Sequence, residues 1–311
     1  MRFLADERLY ADSDYCLAWL QSQRPAARPA LERWRAHLYW RGTIGRKQAL
    51  AIASFLAAHP ADVADLWLWL DAEDGYERHA ASPILSRLLP MLTVKRFDPD
   101  VETRGTPLED APALWSGLPA VRRSNLVRAA VLFKYGGVYA DMDMVFLRDL
   151  SPLFPAHGEA FCYRWSADQP YGNSAVMAVA RESALARAFL ERCRRRGSCR
   201  PRDVLRFDDA PDLDLVVLPC PLFDPLWPVR DGQDRTSRPP FRQFHDFFRR
   251  FGWRVPRPAS PATVETFFPG AFTYHWHNGW GREEHDDSFF GQLERDVARR
   301  LEPALAPATR P

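Results

Sequence analysis

The 311-residue chain has no apolar run near the roughly 20 residues that a membrane-spanning helix requires; the tryptophan-rich LWLWL at 66–70 is only strand-sized. It has almost no net charge. The 42 basic against 40 acidic residues leave +2, which argues against a general nucleic-acid binder. The runs Arg194–Arg196 and Arg249–Arg250 read as solvated helix ends. Cysteine is scarce: Cys16, Cys162, Cys193, Cys199 and Cys220 form no CxxC pair and no regular spacing. An odd count without a framework excludes a disulfide-stapled fold and points to reduced, structural thiols in a cytoplasmic protein. The opening MRFLADERLYADSDYCLAWL carries acids where a cleaved signal needs an apolar core. Export without such a signal stays open.

What is present is enough for a large core: 46% of residues are hydrophobic and 13% aromatic, eleven of them tryptophan. Residues 1–35 read as a helical extension, 36–290 as one α/β domain, and 291–311 as a helix with a proline-containing tail. Within the domain, AHLYWRG (36–42) suits a first buried strand, and GRKQALAIASFLAAHP a helix stopped at Pro60. DLWLWLDAEDG and LTVKRFDP give two further strands. Strand, helix, strand in this rhythm predicts a sheet with parallel crossovers. A helix over AVRRSNLVRAAVLFKY follows, with Pro119 at its start and Gly136–Gly137 at its end. Asn125, Arg128, Leu132 and Tyr135 share one face of it.

The chemistry concentrates just after those glycines, in VYADMDMVFL. If the strand is regular, Tyr139, Asp141, Asp143 and Val145 point to one side. Two buried carboxylates at that spacing repel each other unless something positive sits beside them. A hard divalent ion such as Mg²⁺ or Mn²⁺ does this, and leaves coordination positions open for phosphate oxygens.

The whole stretch SNLVRAAVLFKYGGVYADMDMVFL resembles the sugar-binding region of the DXD-containing glycosyltransferases of family 32. It is also similar to the catalytic domain of the large clostridial glucosylating toxins. Ser124, Arg128, Tyr135, Gly136, Gly137, Tyr139, Asp141 and Asp143 match the order Ser-Asp-x-x-Arg, Tyr-x-Gly-Gly-x-Tyr, Asp-x-Asp. Asn125 stands where those families usually carry Asp. Looser likenesses put Trp40 on a base-stacking tryptophan, and Asn173 or Ser174 near the donor. YHWHNGW (274–280) resembles a late His-His-Trp-x-x-Ser-Trp stretch, with Tyr274 and Gly279 as departures. The resemblance implies a GT-A-like fold, a Rossmann-related mixed sheet flanked by helices that binds a nucleotide-diphosphate sugar, with retention of anomeric configuration.

The expected site follows. Asp143 is the first metal ligand. Asp141 binds the metal or the sugar, and His275, ahead of His277, completes the metal shell. Arg128 and Asn125 serve the sugar or phosphate. Ser124, Trp40, Tyr139, Asn173 and Trp280 line the donor. The expected activity is hexose or N-acetylhexosamine transfer, most simply from a UDP-sugar, to a glycan, lipid-linked sugar or protein. The acceptor segments 166–172, 224–262 and 282–288 carry no readable code. Two other readings stay open: a binding module that kept the fold and lost catalysis, and a Mg²⁺-dependent phosphoryl-transfer enzyme using the Asp-x-Asp pair.

Overall fold

The computed structural model describes residues 1–22, 33–153, 160–166, 168–209, 213–230, 232 and 239–305. The RPAARPA break at 24–30 and the last six residues of the proline-containing tail lie outside the described residues.

Among the described residues, ten strands form two sheets: β1 (Arg2–Phe3), β2 (Trp34–Trp40), β3 (Ala64–Asp71), β4 (Thr93–Phe97), β5 (Gly137–Ala140), β6 (Met144–Phe146), β7 (Phe161–Arg164), β8 (Gly172–Val179), β9 (Val216–Leu218) and β10 (Thr273–His275). Eight of them run in the order β1-β9-β7-β8-β5-β2-β3-β4, and β6 pairs with β10 in a separate antiparallel ribbon. β2, β3, β4 and β5 are parallel, whereas β8 runs antiparallel to both β5 and β7. Among the described residues, five helices reach ten residues: α1 (Ser13–Ser22), α2 (Arg46–Ala58), α3 (Ala120–Tyr135), α4 (Ala184–Arg196) and α5 (Phe289–Leu305).

The expected α/β architecture, a mixed sheet flanked by helices, is what the chain adopts. One face of the large sheet packs in a core with α2 and α5, through Leu50, Phe55, Leu293 and Val297. The other packs against α3 and α4, through Val127, Val131, Phe189 and Leu190. That second core explains why α3 has no polar face in its middle: Leu126 through Phe133 are all buried. Within residues 1–22, Arg8–Ala11 and Ser13–Ser22 are helical, and Arg2–Phe3 add an edge strand that pairs with β9.

Two expectations need correction. VYADMDMVFL is not one strand: the chain leaves the large sheet at Ala140, turns through Asp141–Asp143, and enters the small ribbon at Met144. Alternation along a single strand therefore does not set where the two acids point. The cysteines are not all separate thiols either. Cys193 and Cys199 are bridged across the C-terminal turn of α4, while Cys16, Cys162 and Cys220 are buried. The left-handed turn at Gly197 (φ 61°) folds the chain back and brings the two sulfurs together.

Candidate active site

Parallel strands bring their carboxyl ends to one edge, and ligands of open α/β sheets bind there. Trp40 closes β2 and Ala140 closes β5 at that edge, and antiparallel β8 starts there with Gly172–Asn173–Ser174. The tight link from α3 to β5 depends on its glycines. Gly137 has φ 93°, and a Cβ on it would stand 2.1 Å from the Arg35 carbonyl oxygen. A Cβ on Gly136 (φ 66°) would meet the Arg181 backbone nitrogen at 2.7 Å. No side chain fits either place.

The Asp141–Asp143 turn is fixed from both sides. The Asp141 N–H donates to the Ala175 carbonyl (2.8 Å), tying the turn to β8. The Asp143 carbonyl accepts from the Trp276 N–H (3.0 Å), and its Oδ2 accepts from the Asn278 N–H (2.7 Å). His277 and Asn278 both have positive φ, 49° and 59°, a backbone strain that lets the segment after β10 curl over the acids.

Around that turn the chain gathers most of the expected residues. Arg128 Nη2 donates to Asp141 Oδ1 at 2.5 Å, and its Nη1 reaches Asn125 Oδ1 (3.2 Å) and the Ser174 hydroxyl. Its guanidinium lies 4.6 Å from the Tyr139 ring centre, so Tyr139 is a buried platform under Arg128. Asn173 is also buried, donating to the Tyr163 hydroxyl and accepting from the Ala175 N–H, which shapes the start of β8. Ser124 and Asn125 both donate back to the Val121 carbonyl on their own helix. Trp40 and Trp280 stand apart from the acids but against each other, ring centres 4.5 Å apart. Lys47, buried in α2, holds that second tryptophan in place by donating to the Trp280 and Arg282 carbonyls.

His275 Nε2 lies 3.2 Å from Asp143 Oδ1. Burial works against charge on both groups, yet their mutual attraction outweighs it: the Asp143 carboxyl is held well below the usual range and His275 is pushed up to about 9. Asp141 moves the other way, raised by burial against the pull of Arg128. Burial also lowers His277, whose Nε2 contacts Asp224 Oδ2 at 2.7 Å. The His275 and His277 rings stack with centres 3.9 Å apart.

Asp224 was not singled out in the sequence. It lies in the CPLFDP turn after β9 and is fully buried, and one ligand atom each from Asp224, His275 and His277 falls within a 4.8 Å cluster. Its neighbourhood of proline and apolar residues reads locally as plain core. Only a buried carboxylate without an obvious cation in the same segment could have marked it.

The donor set fits a divalent cation. Asp143 and His275 meet in a buried pair, Asp224 and His277 cluster on the far side of His275, and His275 Nδ1 and Asp224 Oδ1 have no hydrogen-bond partner. Such a mixed oxygen and nitrogen set suits Mn²⁺ better than Mg²⁺, which prefers oxygen alone.

Residues 95–159 match the family described as glycosyltransferase sugar-binding region containing DXD motif. No curated protein sequence matches the chain. Among solved structures, the chain is similar to the PaToxG glycosyltransferase, at 16% identity over 63% of this chain and 72% of that one, with a TM-score of 0.46. It is also similar to the galactosyltransferase LgtC solved with donor and acceptor sugar analogues, at 14% identity over 89% and 97%, with a TM-score of 0.43. A third is the glycosyltransferase GlyE of Streptococcus pneumoniae, at 10% identity over 88% and 64%, with a TM-score of 0.47. No helix among the described residues is long and apolar enough to cross a membrane. The stretch from β4 past β6, with Asp141 and Asp143 inside it, matches the glycosyltransferase sugar-binding region containing the DXD motif, and this match supports a glycosyltransferase.

Proposed function

We infer that the site takes a nucleotide-diphosphate sugar with a divalent metal, Mn²⁺ or Mg²⁺, and transfers its hexose or N-acetylhexosamine to a hydroxyl acceptor. The observation that carries this reading is the buried Asp143–His275 contact at the carboxyl edge of the sheet, with Asp141 two residues away and paired to Arg128.

Breaking the anomeric C–O bond leaves negative charge on the departing diphosphate. A bound divalent ion stabilises that charge without proton transfer. Asp143 and His275 are the residues proposed to hold it, with Asp141 beside them. Arg128 keeps Asp141 in one orientation and balances its charge when the metal is away. The Asn278 N–H fixes Asp143, so its remaining oxygen faces His275. The half-buried Trp40–Trp280 pair supplies a flat apolar wall for the donor base.

A UDP-sugar donor and retention of configuration by front-face attack complete the proposal; both rest on the resemblance to the family 32 enzymes. The acceptor is a glycan, a lipid-linked sugar or a protein hydroxyl. Phosphoryl transfer has less support, because residues 95–159, which hold both acids, match a glycosyltransferase sugar-binding region.

The test is a panel of UDP- and GDP-sugars with and without Mn²⁺, read by thermal stabilisation and by donor hydrolysis. At least one donor is expected to stabilise the protein only with metal and to be hydrolysed slowly. Stabilisation by no nucleotide sugar sinks the reading. Stabilisation without turnover supports the binding-module alternative.

A further inference from the structure

Asp224 has no role in the chemistry described so far, yet it is the most costly residue near the site. Its carboxylate is fully buried, and no lysine or arginine pairs with it among the described residues. A carboxylate in such a place is strongly disfavoured unless partners hold it. Its partners are two histidines: His277 Nε2 at 2.7 Å and His275 Nδ1 at 3.7 Å, both measured to Oδ2. The second oxygen, Oδ1, has no hydrogen-bond partner, and neither does His275 Nδ1.

These three side chains suit a metal of their own poorly. Ring nitrogens bind metals along lone pairs that lie in the ring plane. The two imidazoles stack face over face, 3.9 Å apart and inclined by 24°, so their lone pairs run nearly side by side and do not converge. The arrangement suits a different task.

An imidazole that ligates a metal through one nitrogen carries its proton on the other. That N–H is almost always met by a carboxylate or carbonyl, which fixes both the tautomer and the ring orientation. His275 presents Nε2 to Asp143 and Nδ1 to Asp224. Resting on the metal reading above, we propose that Asp224 is a positioning residue. It holds the His275 proton on Nδ1, so that the Nε2 lone pair is directed at the cation bound by Asp143. His277 is the clamp that keeps Asp224 in place. It donates Nε2–H to Oδ2 while its own ring is wedged against Trp165, Trp227 and Phe244. Oδ1 is then the acceptor that the Nδ1–H of metal-bound His275 meets after a small ring rotation. The two unpartnered atoms are thereby accounted for together.

The test is Mn²⁺ binding to the full chain, followed by loss of the free-ion paramagnetic resonance signal, for wild type, Asp143→Asn and Asp224→Asn. Asparagine keeps the shape of Asp224 but offers His275 an N–H, which favours the wrong tautomer. Asp143→Asn is expected to abolish specific binding, and Asp224→Asn to weaken it by about 10- to 100-fold. Nitrogen-15 spectra of labelled histidine, with diamagnetic Mg²⁺ in place of Mn²⁺, should show His275 protonated at Nδ1 in wild type and not in Asp224→Asn. A merely structural role for Asp224 would leave that tautomer unchanged.

If wild type and Asp143→Asn bind Mn²⁺ equally poorly, the metal reading itself fails. If wild type binds, Asp143→Asn does not, and Asp224→Asn matches wild type in affinity and tautomer, the metal reading stands and the proposal for Asp224 is overturned. Should Asp224→Asn not fold, His277→Gln reads the same contact from the other side. The glutamine amide N–H can take over the clamp on Asp224 Oδ2, so Asp224 stays available to His275 and Mn²⁺ affinity should stay within about 10-fold. A larger loss there assigns the task to His277 and overturns the proposal.

Discussion

Two buried acidic clusters sit along the same carboxyl edge of the sheet, and they are built on opposite principles. At the end of β3, Asp71 accepts from Arg123 Nε (2.5 Å), Arg123 Nη2 (3.3 Å), the Tyr39 hydroxyl (2.5 Å) and the Glu73 N–H (2.9 Å). Both of its oxygens are used. Beyond β5, the cluster of Asp141, Asp143, His275 and Asp224 leaves Asp224 Oδ1, His275 Nδ1 and Arg128 Nε unpartnered. Both clusters are buried and both pair acids with cations. Burial of charge alone therefore does not mark a site. The first cluster is finished when the chain folds, and the second waits for something to bind.

The largest expected contrast comes from removing one acid from each. Asp143→Ala should lower metal-dependent donor turnover by about 10²- to 10³-fold, as loss of one group that stabilises transition-state charge does. Its thermal midpoint should move little, because the site is not what holds the sheet. Turnover assays beside a thermal melt check both halves. Equal turnover in the two proteins would remove Asp143 from the chemistry.

Breaking the finished cluster should do the reverse. Arg123→Met strands the Asp71 carboxylate in the core and should cost about 3–5 kcal/mol of unfolding free energy by urea titration. The Mn²⁺ response of whatever protein stays folded should be intact. A loss of metal response at unchanged stability would mean that the two clusters are not independent.

Acid should act on the scaffold through histidines outside the site. Burial holds His37 down to about 3 and His59 down to about 4. Each is neutral when folded, with ring nitrogens committed to backbone groups or, for His37 Nδ1, to the Trp69 indole N–H. The unfolded chain takes up protons near pH 6.5 and the folded chain does not. Stability is thus fully present above about pH 6.5 and is lost as pH falls toward 4, by about 2–3 kcal/mol for each histidine. Urea midpoints at pH 7, 5.5 and 4 measure this. A flat profile would show that both rings are protonated in the folded protein.

The smallest effect tests the loop that carries Trp280. The related enzymes usually have serine where this chain has Gly279, but a Cβ there would lie 2.8 Å from the Phe248 ring and 3.1 Å from His245. Gly279→Ser should cost about 1–3 kcal/mol by overpacking, and should shift tryptophan emission as Trp280 moves off Trp40. Unchanged emission and stability would mean that the aromatic neighbours give way freely.

Much of this was legible in the sequence where the determining contacts are local. β2, β3, β4, α2 and α3 follow from apolar patterning and from proline and glycine at their ends. The Asp141–Asp143 pair stands out because it interrupts an apolar run. Its path was not legible: VYADMDMVFL looks like one strand because both halves are apolar. The break is imposed by β10, which pairs with β6 from 130 residues further on. Asp224 was missed for the same reason. Nothing within ten residues of it supplies its partners, and the two histidines that do are more than fifty positions away. The His275 over His277 choice rested on an alignment of tryptophans. Geometry gives it a physical basis, since only His275 reaches Asp143 within the ion-pair distance.

The two-sheet path has a consequence for how the protein comes into being. The acid turn is complete only when Trp276 and Asn278 close over Asp143. On a ribosome, the strands that form most of the large sheet emerge well before those residues do. The nascent chain can assemble a scaffold that has no working centre, and the segment from β10 to Asn278 then switches it on. Pairings of such long reach form slowly. Activity should therefore lag behind compaction during refolding, and a chain cut before β10 should collapse around the same sheet while remaining inert.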